Sequence, residues 1–354
     1  MSSPILFVGG EDLSFQPIGG NFVSTGAGIL VNTGASSFRA GYARHSLTIC
    51  SPGLNMLFLR AAFSAPASSF WFTARVQTNT NGTGPTNSGS YVWLLGDAAG
   101  VWRLRMRNTT AALTGPFVIE KVSAAGVATQ LGNNTSTSFL DNPAVPDRLD
   151  VFVNHATSGG ITMWQNGVQV FSYTGDVTTD GVTALAALQL GQVMSRTTSE
   201  YTSWSEVVVA TRDTRNMSVV TRTALAAGNA TSFTSGAASN VNEALNSDAT
   251  ADSSSTPGQI QEYTVTPALP TGSFSVLSVV HHLRATIGSS GPTKVDAVVR
   301  AGGTDYTSGD LSPGGAWTLL VNNWDTNPNT GNAWQAAEIA NGSTLYNIGY
   351  KSVA

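Results

Sequence analysis

Arg148-Leu-Asp-Val-Phe-Val-Asn154, Ile161-Thr-Met-Trp-Gln-Asn-Gly-Val-Gln-Val-Phe-Ser-Tyr173, Leu188-Gln-Leu-Gly191 and Trp204-Ser-Glu-Val-Val-Val209 are apolar-rich runs that follow one another in a single stretch. Asn166-Gly167 divides the second run into two alternating halves. Both central positions of a type I′ turn need positive φ, which this pair tolerates best, so the run predicts a β-hairpin. With a two-residue turn, Gln165 faces Val168 and Met163 faces Val170. Ile161, Met163, Val168 and Val170 then share one face, and Trp164, Phe171 and Tyr173 the other.

Working outward, Ile5-Leu-Phe-Val8, Phe22-Val23, Ile29-Leu-Val31, Leu47-Thr-Ile-Cys50 and Leu57-Phe-Leu59 read as short strands between Gly- and Ser-rich turns. Phe70-Trp-Phe-Thr-Ala-Arg-Val76 alternates with period two, which places Phe70, Phe72, Ala74 and Val76 together. Residues 78–90 form a polar loop before a strand pair, Tyr91-Val-Trp-Leu-Leu95 and Val101-Trp-Arg-Leu-Arg-Met-Arg107. In the second of these Arg103, Arg105 and Arg107 point one way and Trp102, Leu104 and Met106 the other. The arginines are either a solvated sheet face or a basic stripe that meets an acidic neighbour or a glycan. Phe117-Val-Ile-Glu-Lys-Val122 and Val127-Ala-Thr-Gln-Leu131 add a further hairpin. Many short strands at regular spacing are the sequence form of a β-sandwich.

The order of the four runs, with a hairpin of the "W-x-N-G" kind, a strand ending in Leu-Gly and an acidic residue before the closing aliphatic run, resembles the laminin-G/concanavalin-like jelly roll. The resemblance covers residues 1–211 and implies a fold rather than an activity.

Arg212-Asp-Thr-Arg-Asn216 is a dense charge cluster and marks the boundary of a second domain, 212–354. Residues 226–258 are rich in small polar side chains and are expected to be ordered but poor in strands. Residues 274–287 form the strongest strand of this half, with Leu277, Val279, His281, Leu283 and Ile287 on one face. Residues 293–300 and 317–321 pair with it or near it. A short helix is expected at 333–340, capped by Thr330 or Asn332 and ended by Asn341-Gly342, before a closing strand at 345–353.

Trp324-Asp-Thr-Asn-Pro-Asn-Thr-Gly-Asn-Ala-Trp334-Gln-Ala-Ala-Glu338-Ile339, followed by Ile348-Gly349-Tyr350-Lys351, resembles a C-terminal module of tailed-bacteriophage structural proteins. Ala301-Gly-Gly-Thr-Asp-Tyr306 resembles its turn, whereas Tyr346-Asn347 departs from its usual aliphatic-acidic pair. The expected fold is therefore all-β: an N-terminal jelly-roll sandwich plus a smaller C-terminal β-sandwich with one short helix.

The chain has 354 residues, 11% of them charged, a net charge of −4 and a single cysteine, Cys50. No Lys/Arg run supplies the counterion release that nucleic-acid binding draws on, and one cysteine leaves no intrachain disulfide or cysteine-based metal site. No signal peptide or apolar run of membrane-spanning length is present, so nucleic acid and membrane are set aside as partners.

Glycoside hydrolysis needs two carboxylates flanking one bond. Glu11-Asp12 are adjacent, Asp147 and Asp150 are three apart, and either pair lies on opposite strand faces. Neighbouring His281-His282 point apart on a strand, and His45 and His155 have no partner at metal or triad spacing. Asp97, Asp141 and Asp176 are loop carboxylates that leave structural calcium open, though each suits a turn cap. No other cofactor is expected. Trp93, Trp102, Trp164 and Trp204 are either core residues or ligand platforms.

The phage-like resemblance implies a non-enzymatic structural component of a tailed phage particle, in its tail, neck or head surface. Such a protein is made in the host cytoplasm and works in the virion among other virion proteins. A carbohydrate-binding adhesin for host surface glycans is the alternative, with Trp164, Phe171, Tyr173, Arg103, Arg105 and Arg107 as glycan or interface residues. A glycan hydrolase is a third. A homo-oligomer, taken as a trimer from the same resemblance, would use Trp324, Trp334 and Tyr346 as interface anchors.

Overall fold

The computed structural model describes residues 4–8, 22–24, 29–32, 46–50, 57–79, 91–109, 116–136, 146–192, 201–242, 248–266, 273–339 and 346–354. Of the loop expected at 78–90, the first two residues belong to a strand that ends at Asn79; the rest, with Glu11-Asp12, His45, Asp141, Asn341-Gly342 and the Cys50 side chain, lies outside what is described. The chain divides into two compact units, the first ending at Val219 and the second beginning at Val220.

The first unit opens with β1 (Pro4–Val8), β2 (Phe22–Ser24), β3 (Ile29–Asn32), β4 (Ser46–Cys50) and β5 (Leu57–Ala67). It continues with β6 (Ser69–Asn79), β7 (Tyr91–Gly96), β8 (Trp102–Asn108), β9 (Phe117–Val122) and β10 (Ala128–Asn134). It closes with β11 (Asp147–Asn154), β12 (Gly159–Gln165), β13 (Val168–Gly175), β14 (Leu185–Gln192) and β15 (Tyr201–Ala210). An eight-stranded sheet runs β13-β12-β11-β6-β15-β4-β3, with β1 also on β15; a seven-stranded sheet runs β10-β9-β8-β7-β14-β5-β2. Their pairings are antiparallel. This is a jelly-roll sandwich.

Alternation decides which side chains enter it. Phe70, Phe72, Ala74 and Val76 of β6 are buried with Leu149, Val151 and Val153 of β11. Trp93 and Leu95 of β7 and Leu104 and Met106 of β8 belong to the same core. Each large apolar side chain so buried stabilises the fold by about 1.5–3 kcal/mol before the entropy of ordering it is set against that.

The hairpin forms where expected, with Asn166 at φ 52° and Gly167 at φ 82°. Its register holds for Gln165 opposite Val168 and Trp164 opposite Gln169, but Met163 then faces Phe171 and not Val170, because β13 carries one extra residue at Val170. A bulge of one residue turns every later side chain to the other face. Phe171 and Tyr173 therefore leave the face of Trp164: Phe171 enters the core, 6.1 Å from the Phe117 ring, and Tyr173 packs against that core. Gly132 of β10 makes room, since a Cβ there would lie 2.9 Å from the Phe171 ring. Asn134, also on β10, donates its amide to the Val170 carbonyl and so satisfies the bulged peptide.

The second unit contains β16 (Ala224–Thr231), β17 (Ile260–Val265), β18 (Val279–Ala285), β19 (Lys294–Ala301), β20 (Thr304–Thr307), β21 (Thr318–Trp324) and β22 (Tyr346–Val353). A five-stranded sheet runs β16-β17-β22-β19-β20, and β18 pairs with β21 in a two-stranded sheet. The strong strand expected over 274–287 is thus confined to seven residues. A single 3-10 turn, Ala336–Glu338, stands where a longer helix was expected; Gln335 and Glu338 close it as a capping box. Trp334 and Tyr346 are buried with Val265, Val299, Ala301 and Ile339, and Trp324 packs against them. The Trp334 indole donates to the Trp324 carbonyl at 2.8 Å. Of the three residues expected as oligomer anchors, Trp334 and Tyr346 thus lie in their own unit's core, and Trp324 is partly buried against it.

Candidate functional site

On β6 the residues out of phase with the core are Trp71, Thr73 and Arg75, and on β11 they are Arg148, Asp150 and Phe152. Cross-strand register sets Phe152 opposite both Trp71 and Thr162, and Asp150 opposite both Thr73 and Trp164. The outer face of the eight-stranded sheet thus gathers three aromatic rings. Trp71 and Trp164 stack at 5.3 Å with 21° between their planes, and Phe152 lies 4.9 Å from Trp71. All three are half-buried. Asp150, beneath them, accepts from the Thr73 hydroxyl at 2.5 Å and from Arg148 Nε at 3.0 Å.

Residues 211–219 cross this face as a strap. Arg148 fastens it, donating to the Thr214 carbonyl at 2.7 Å and to the Met217 carbonyl at 2.8 Å. Met217 and Val219 pack on Val208. Glu206 sits at a bulge of β15 with φ 50°, ion-pairs with Arg75 at 3.0 Å and accepts from the Val219 N–H at 3.4 Å. The charge cluster expected to mark a domain boundary is therefore part of the sandwich.

From the strap, Arg215 reaches over both indoles, 5.0 Å from the Trp71 ring and 4.7 Å from the Trp164 ring. Asp213 holds it through Nε and Nη2 at 2.6–3.0 Å. The hydrogen bond from Arg215 keeps the Asp213 carboxyl below its ordinary range, so the pair stays ionised. Both side chains are exposed, at 42% and 45%. A cation over an exposed ring and an exposed ion pair are each worth about 1 kcal/mol or less, so a ligand can move this guanidinium at little cost.

The outer face of the seven-stranded sheet is different. Gln189, Leu94, Arg105, Glu120 and Gln130 lie in one cross-strand row. Arg105 and Arg107 both bind Glu120, at 2.7 and 2.8 Å, whereas Arg103 is the extra residue at a bulge of β8. Arg103 binds Asp97 at 2.8 Å and also Asp180, while Lys121 binds Asp176 at 2.8 Å. Four cations face four carboxylates. Burial opposes ionisation of Glu120, yet the bonds from Arg107 and Arg105 hold its carboxyl below the ordinary range. The stripe is thus neutralised within the fold.

Asp97 accepts from the Val101 N–H at 2.9 Å, and Asp176 from the N–H and hydroxyl of Thr178 at 2.9 and 2.7 Å, so both cap turns. Among the described residues no group of three or more His, Cys, Asp or Glu side chains converges. His281 is buried, and burial together with His282 lowers its pKa to about 4. Sequence reasoning singled out Trp164 but missed Trp71, Phe152, Asp213 and Arg215. The alternation of β6 places Trp71 opposite to Phe70 and Phe72, and that was the available signal.

No family model matches the chain. No curated protein matches it either. Among solved structures it is similar to an endo-β-1,4-glucuronan lyase from the fungus Trichoderma reesei, at 10% identity over 61% of this chain and 98% of that one, TM-score 0.45. It is also similar to the cellulose-induced protein Cip1, at 10% identity over 54% and 92%, TM-score 0.42. An alginate lyase from a Chlorella virus gives 8% identity over 59% and 99%, TM-score 0.40. Two expectations are corrected here. The similar structures include lyases of glucuronan and alginate and not structural components of a phage particle, so neither the non-enzymatic phage structural reading nor the exclusion of enzymatic activity is kept. The likeness is one of fold and assigns no role to any residue.

Proposed function

We propose that the jelly-roll sandwich binds a polysaccharide on the outer face of its eight-stranded sheet. One observation carries this: Trp71 and Trp164 stack side by side on a sheet face, half-exposed, with Phe152 beside them. The C–H face of a pyranose ring is flat and apolar while its rim is hydroxylated. An indole offers the matching surface, a broad apolar face with a polar edge. Isolated exposed aromatics need no explanation, but a cluster of three on one outer face does. Its strands are held rigidly by the core beneath, which keeps the cost of ordering the site low.

The test is a titration of the full chain with a panel of soluble polysaccharides, followed by tryptophan fluorescence and affinity electrophoresis. Trp164→Ala and Trp71→Ala are each expected to weaken binding at least about tenfold, the equivalent of about 1.4 kcal/mol. New reducing ends in the same samples report whether the bound chain is also cleaved. Binding unchanged in both variants, or absent across the panel, overturns the proposal.

A further inference from the structure

We infer that Glu262 is a protonated acid in the folded chain that donates to Asp305, and that its ionisation at higher pH loosens the edge strand β20. Register sets out the cluster. Gly349 of β22 stands opposite Glu262 of β17, Asn347 opposite Arg300 of β19, and Arg300 opposite Asp305 of β20. The Asn347 amide donates to Glu262 Oε2 at 3.3 Å, so Glu262, Asn347, Arg300 and Asp305 share one face of the five-stranded sheet. At Gly228 the chain of β16 closes over that face, since a Cβ there would lie 2.8 Å from that of Glu262. Glu262 is fully buried.

The donors decide where the proton sits. Glu262 Oε2 accepts from the N–H of Asn229 at 3.1 Å, from the N–H of Ala230 at 3.2 Å and from the Asn347 amide. Oε1 is buried as well and meets no donor. Among the described residues no lysine or arginine ion-pairs with Glu262; Arg300 is bound to Asp305 instead. A proton on Oε1 removes both the buried charge and the unpaired acceptor, because the acid O–H then has Asp305 to donate to. Burial holds the Glu262 carboxyl above its ordinary range, and the Asp305 carboxylate beside it adds to that. Two adjacent carboxylates do not both ionise readily, and the one without a cation takes the proton. The other charges on this face are engaged elsewhere: Lys351 stands opposite Asp296, and Lys294 binds Asp310. Once the proton leaves to water, two like charges meet. β20 lies at the end of the sheet beside β19, so it is the strand that gives way.

The experiment follows isotope-labelled glutamate carboxyls of the full chain by NMR from about pH 5 to about pH 9. One resonance should titrate above all the others, be missing in Glu262→Gln and titrate at lower pH in Asp305→Asn, where the like charge is gone. The folded chain holds this proton more tightly than the unfolded one. The stabilisation is therefore complete below the ordinary glutamate value and is lost as pH rises through the folded value. A glutamine keeps the three bonds at its oxygen and donates to Asp305 through its amide, so Glu262→Gln should melt progressively above the wild type as pH rises, with slower amide exchange in 304–307. Glutamates that all titrate in the ordinary range, or a variant that melts lower by the same margin at every pH, mean an ionised Glu262 and overturn the inference. Calcium that raises the melting temperature of the wild type but not of Glu262→Gln overturns it too, since a cation then stands where the proton is placed. Should Glu262→Gln not fold, the titrations of the wild type and of Asp305→Asn decide alone.

Discussion

On the seven-stranded sheet two arginines converge on one buried carboxylate, whereas on the eight-stranded sheet a single arginine, Arg148, reaches both an acid and the backbone of a crossing segment. The first arrangement closes a charged surface on itself. The second fixes a strap that carries another arginine, Arg215, over half-buried rings. The comparison shows that charge on a sheet face says little about binding until its partners are known. Three arginines in alternation resemble a site and are neutralised, while two tryptophans out of phase with the core gather rings on an outer face.

Arg148→Ala should have the largest effect on stability. It leaves Asp150, only 1% exposed, without its cation, and removes both hydrogen bonds to the strap. Breaking a buried pair from one side costs about 3–5 kcal/mol, to be read from chemical denaturation of the full chain. Destabilisation of less than about 1 kcal/mol would mean that the strap is held by its apolar contacts instead.

Glu120→Gln should cost less, about 1.5–3 kcal/mol, since Arg105 and Arg107 are partly exposed and water can take up some of the loss. Acid sensitivity separates the two faces more finely. In the folded chain the Glu120 carboxyl titrates below its ordinary value, and on unfolding it returns to that value. Its stabilisation is complete above the ordinary value and is lost as pH falls through the folded one. Glu120→Gln should therefore flatten the acid limb of a stability-versus-pH curve. An unchanged limb would assign that dependence to other carboxylates.

Much of this fold is legible in local pattern. The alternation of 70–76 puts the right four side chains inside, and Asn166-Gly167 makes the turn it promises. Legibility ends where a second strand must be known. The bulge at Val170 depends on how β12 and β13 settle against Gly132 and Asn134 of the opposite sheet, and nothing within the hairpin announces it. Trp71 and Trp164 are 93 positions apart, and only the β6, β11 and β12 register brings them into contact. In the second unit, residues 274–278 have strand-like composition but no pairing strand among the described residues, and the strand starts at Val279. Arg215 is harder still to foresee. It lies in a charge cluster that reads as a boundary, and its role appears only once the strap is seen lying on the sheet.

The strap also decides where the chain can be cut to leave an intact sandwich. A fragment ending at residue 211 would expose Val208, strip Glu206 of the Val219 N–H and leave the Arg148 guanidinium facing water in place of two carbonyls. One ending at Val219 keeps these contacts. Limited proteolysis that stops after Val219, and leaves 211–219 intact, is the behaviour of a chain whose connecting segment is already part of the fold it leaves.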